Sequence, residues 1–130
     1  MMETENDVRD LEKLIVQLQG LHAELSVLGK KAPNDGVNLF KLKLVNNILA
    51  KANLLLIGHY KPLEDFATFD EVALPTNSDV TMILTLYMEQ AERYRSDNVV
   101  YVSGYPKYVI DGVASDIAAK APTRIGVDKK

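Results

Sequence analysis

Cysteine does not occur anywhere in the 130 residues. Its absence removes a disulfide scaffold, a thiolate zinc site and a cysteine nucleophile together. Histidine occurs only at His22 and His59. Neither sits in an H-E-x-x-H or similar metal spacing, and His22-Ala23-Glu24 lacks the downstream cysteines of a deaminase zinc site. No G-x-S-x-G is present, so no nucleophile elbow is indicated. Gly29-Lys30-Lys31 has the lysines of a phosphate loop but closes a helical pattern instead of opening one. No arginine is followed by histidine four to six residues on, which removes the pattern expected of many small helical ribonucleases. Long apolar runs are missing too. The richest stretch, Ile48 to Ile57, is broken by Lys51 and Asn53, short of the roughly 18 residues a membrane helix needs. The first ten residues are polar and acidic, with no apolar core of a signal peptide. These absences predict a cytoplasmic protein with no metal, no cofactor and no membrane contact.

What remains is an ordinary globular mixture. The chain is 47% hydrophobic and 25% charged, enough to bury one core and too apolar for disorder. A single domain over residues 1–121 and a polar tail over 122–130 are expected. The net charge of −3 conceals alternating blocks. Residues 1–29 carry −4, 30–61 carry +5, 62–98 carry −6 and 99–130 carry +2. Such alternation favours complementarity within the chain or between subunits over a broad phosphate-binding face.

The periodicity predicts an all-α fold, an antiparallel bundle of three long helices with a short fourth helix. The first helix spans about 6–28, capped by Asn6 or Asp7. Leu11, Leu14, Leu18, Leu21, Leu25 and Leu28 form a heptad seam along it. Gly20 lies off the seam and weakens the helix by roughly 1 kcal/mol relative to alanine. Ala32-Pro33-Asn34-Asp35-Gly36 is a turn. The second helix, about 37–57, has an apolar face of Phe40, Leu44, Val45, Ile48, Leu49, Ala52, Leu55 and Leu56. Its other face carries Lys43, Asn46, Asn47 and Asn53, an unusual load of a poor helix former. A connector holds the acidic-aromatic segment 64–71, with Phe66 and Phe69 capping the bundle. The third helix, capped by Asn77 or Ser78, continues the heptad Val80, Leu84, Tyr87, Ala91, Tyr94, Asn98 and Tyr101 to about residue 103. A competing reading makes 99–110 a small β-hairpin about Ser103-Gly104. Residues 106–121 would form the last helix.

Two rows of this kind exceed what a monomer needs. A homo-oligomer is therefore expected, with Leu11, Leu14, Leu18, Leu21, Leu25, Tyr87, Tyr94, Asn98 and Tyr101 at its interface. The leading functional expectation is a non-enzymatic interaction protein of the immunity, antitoxin, adaptor or inhibitor type, binding another protein. The alternative is a small-ligand or nucleotide pocket between subunits, built from Lys41, Lys43, Asn46 or Asn47 with tyrosines of the third helix; these four and Asn53 are the candidates for ligand or partner binding. Nucleic acid is disfavoured: six lysines lie between residues 30 and 61 without an arginine, whereas specific readers present arginines. Carboxylates at Asp65, Asp70, Glu71 and Asp79 have no E-x-x-H companion for a metal. Glu89 and Glu92 are explained by ion pairing with Arg93 and Arg95.

Overall fold

A computed structural model describes residues 2–123. In order it comprises α1 (Glu5–Lys31), α2 (Leu39–Leu55), a single 3-10 turn (Gly58–Tyr60) and α3 (Asn77–Asp97). The strands β1 (Val99–Val102), β2 (Tyr105–Ile110) and β3 (Val113–Ala118) follow. The strands form one antiparallel sheet in the order β1-β2-β3. The expected all-α, coiled-coil bundle is thus corrected to an α+β fold. The tail expected over 122–130 lies, from residue 124 onward, outside the described residues.

The three long helices start at polar caps. Thr4 and Asp7 make a reciprocal capping box ahead of α1, while Asn38 accepts from the Lys41 N–H and Thr76 from the Asp79 N–H. Each satisfies backbone donors that a helix start leaves open. Gly29 does not stop α1, which continues to Lys31. The first donors of α3 are taken by the α1–α2 turn as well. Asn77 and Ser78 give their N–H groups to the carbonyls of Asp35 and Pro33. The α1–α2 turn therefore plugs the start of α3 and leaves no open anion cradle there.

α1 is the central rod, with α2 and α3 both antiparallel to it. Gly29 lies beside Thr81, and His22 beside Thr85, on the α3 side. Lys41 meets Glu24 on the α2 side. Leu11, Leu14, Leu18 and Leu25 are fully buried in the chain's own core with Val45, Leu49, Val80, Leu84, Tyr87 and Ala91. Each buried leucine contributes about 1.5–3 kcal/mol of transfer free energy.

α3 ends at Asp97, short of residue 103, and Asn98 is its C-cap. The buried Asn98 amide donates to the Tyr94 carbonyl (2.8 Å), and its backbone N–H donates to Arg95. The β-branched run Val99–Val102 then enters the sheet, consistent with its strand preference. Two tight turns replace the expected fourth helix. Ser103-Gly104 and Asp111-Gly112 both have positive φ at their two residues, the type I′ geometry that matches strand twist. Val109, Ile110, Val113 and Ile117 accordingly lie on strands, not along one helical face. Tyr108 and Val99 are buried beneath the sheet, and the Tyr108 hydroxyl donates to Glu12 of α1 (3.0 Å).

Candidate functional site

The helix-two side chains singled out for binding are largely engaged inside the chain. Asn46 donates to the Phe69 carbonyl (2.9 Å) and accepts the Phe69 N–H (2.9 Å), so its amide pairs with backbone as a strand would. Asn53 donates to the Ala67 carbonyl (2.9 Å) and accepts from the Tyr87 hydroxyl (2.6 Å). Together they fasten the connector over α2 and α3. Phe66 is thereby set edge-on to Phe69 and to Tyr87. Lys41 pairs with Glu24 (2.7 Å) and Lys43 with Glu71 (3.2 Å). Both carboxyls are held below their ordinary range, in each case first by the lysine hydrogen bond. Asn47 alone of this set is exposed with no bonded partner among the described residues.

The expected interface residues divide differently. Leu11, Leu14, Leu18, Leu25 and Tyr87 are buried, Leu21 is half-buried, and Tyr94 and Asn98 are 8% exposed. Tyr101 stands on β1 at 58% exposure. The row that looked continuous therefore breaks at the helix end.

Among the described residues α1 borders several clefts, two of which bear on binding. The one against α3, about 330 Å³, is lined by Ile15, Gln19, His22, Thr85, Met88 and Glu92 among others. His22 Nε2 lies 2.9 Å from Thr85 Oγ1, a pairing that resembles a base beside a nucleophile. Proton counting argues otherwise. Thr85 gives its single hydroxyl proton to the Thr81 carbonyl (3.0 Å), so the imidazole must be the donor to Thr85 and does not activate it. Farther along, Arg95 is 3% exposed. It forks onto Glu92 and donates to the carbonyls of Lys120 and Ala121. Burial raises the Glu92 carboxyl, but Arg95, Thr123 and Ser96 outweigh it and hold the group below its ordinary range. Burial first, then the Glu12 carboxylate, push the Tyr108 phenol well above its range. This cluster ties the chain after β3 to α3. Among the described residues no three or more acidic or histidine side chains are grouped to hold a metal.

The second cleft, about 280 Å³, lies between α1 and α2. Leu14, Leu54 and Leu55 form its apolar part, and Asp10, Lys13, Gln17 and Lys51 its rim. Neither lysine has a carboxylate partner among the described residues. The outer face of α2 continues this surface. Phe40, Leu44, Asn47, Lys51 and Leu54 recur at spacings of four, three, four and three, which puts them on one side of the helix. Phe40 is 73% exposed and Leu54 81%. Across from them α1 presents exposed Val27 and Gly20. A Cβ at Gly20 would meet nothing within 4 Å, so packing inside the chain does not require glycine there. Sequence reasoning assigned Phe40 and Leu44 to the core. The actual core stripe, Leu42, Val45, Leu49, Ala52 and Leu56, is rotated away from them. Among the described residues α2 thus carries a covered apolar stripe and an exposed row in which Asn47 and Lys51 separate Phe40 and Leu44 from Leu54.

No helix among the described residues is long and apolar enough to cross a membrane. Comparison of the chain with known protein families, with curated proteins and with solved structures found no match.

Proposed function

We propose that this chain is a non-enzymatic, cytoplasmic protein-binding module of the adaptor or inhibitor kind. Its binding face is the outer side of α1 and α2. The observation that carries this reading is the exposed row of Phe40, Leu44 and Leu54 on a helix whose opposite stripe already fills the core. Contiguous exposed apolar surface rimmed by polar groups marks interaction sites. A partner helix laid along the α1–α2 groove would bury these side chains, and its acidic residues would meet Lys13 and Lys51. Gly20 gives that helix room to approach.

The ligand-pocket alternative has less support, because Lys41, Lys43, Asn46 and Asn53 would have to release partners they already hold.

The test compares affinity capture by the intact chain with capture by Phe40→Glu and Leu54→Glu, using host extract. The expected result is a defined protein retained by the unmodified chain and lost by both variants, with unchanged circular dichroism. Retention of the same protein by both variants would reject this face.

A further inference from the structure

We infer that two copies of this chain associate through β1, edge to edge, and extend the sheet across a two-fold axis. This does not rest on the α1–α2 reading and uses a different surface.

β1 is an edge strand of four residues, Val-Val-Tyr-Val. It contains no charge, no proline, no glycine and no bulge, the usual devices that stop an edge from pairing. The opposite edge is protected differently: β3 carries Asp116, and its pairing with β2 is interrupted by a register shift between Lys107 and Val109. Val100 and Val102 are each 41% exposed, and Tyr101 more so. This one member of the tyrosine-asparagine row on the surface lies on the open edge.

The hydrogen-bond phase of the edge fits a second copy. The Val109 N–H donates to the Asn98 carbonyl (2.7 Å), and the register pairs Val99 with Tyr108, Val100 with Lys107 and Tyr101 with Pro106. Bonded and non-bonded pairs alternate along an antiparallel ladder. Asn98, Val100 and Val102 therefore turn their backbone groups toward β2, while Val99 and Tyr101 turn theirs outward. Pro106 agrees with this phase. It has no N–H and stands opposite Tyr101, where none is wanted, and its carbonyl accepts from Ala119 on the other side.

Placing Val100 opposite Val100 of a second copy brings each Tyr101 opposite the other copy's Val99. Both outward-facing residues then exchange N–H and C=O bonds with their counterparts. The two-fold axis sets Val100 beside its own duplicate, which would be repulsive for a charged residue and is not for valine. A charged foreign strand would find no countercharge on β1. The edge is short beside a standard interface, so the association is reversible and depends on concentration.

The experiment is sedimentation velocity on the full chain at ~100 μM, where a micromolar dimer is populated. Val100→Lys and Val100→Glu place like charges at the axis on an exposed side chain. The expected results are a dimer for the unmodified chain, monomers for each variant alone, and a heterodimer when the two variants are mixed. Amide exchange at Tyr101 should also slow several-fold between dilute and concentrated unmodified chain. An unmodified chain that stays monomeric, or single variants that stay dimeric, would overturn the inference. A variant mixture that remains monomeric although both variants are folded would overturn the register.

Discussion

Asn46 shows how a costly residue discloses its purpose at the scale of one side chain. Asparagine in a helix interior opposes the helix, and three on α2 were legible as needing compensation. The partners of Asn46 and Asn53 were not legible, because Phe69 and Ala67 reach α2 only through tertiary folding. Asn46→Ala would leave a backbone N–H and C=O of the connector unpaired. A loss of about 1–3 kcal/mol is expected in urea unfolding, together with faster amide exchange at Phe69. The charge blocks were easier to read, since Lys41–Glu24 and Lys43–Glu71 are the complementarity that the positive second block implied. The Glu92–Arg95 fork carries a pH signature. A carboxyl held low in the folded chain binds fewer protons there than in the unfolded chain. Its contribution is fully present above the ordinary carboxylate value of about 4.3 and is lost as pH falls through the lower folded value. Glu92→Gln should cost about 2 kcal/mol at neutral pH and should flatten the acid limb of stability measured between pH 6 and 3.

At the scale of elements, the three helices were readable because caps and apolar spacing agree. The sheet was not, and the reason is local. The heptad Val80 to Tyr101 continues in number through Asn98, yet Asn98 turns its amide back on Tyr94 and ends the helix. Beyond it, Asp111-Gly112 is a strong hairpin signal lying inside the segment 106–121 expected to be the last helix. The outer stripe of α2 was missed for another reason: periodicity reveals an apolar face but does not say which of two faces a neighbour will cover. Two glycines should respond to alanine with opposite signs. Gly20→Ala adds a side chain in open space on α1 and should raise stability by up to about 1 kcal/mol, a gain of propensity alone. Gly112→Ala falls at φ +77 and should lower it by about 1 kcal/mol or more. Thermal melts of the two variants settle both signs.

Across the whole molecule, the sheet is held by contacts from the far end of the chain. Met2 is fully buried, and its carbonyl accepts the Asp111 N–H (2.8 Å) just where β2 turns toward β3. Glu12 holds Tyr108, and Arg95 holds the segment after β3. Met2→Ala should destabilise by about 2–5 kcal/mol, with the sheet amides losing exchange protection before those of α1 and α3. The Met2–Asp111 bond also dictates timing. Contacts between distant positions close late, since the intervening chain must first be ordered. During synthesis the helices can assemble before the hairpins emerge, so the buried place of Met2 stays unfinished until the β2–β3 turn is available to it. A nascent chain stalled before residue 111 would present that end of the core to chaperones and proteases.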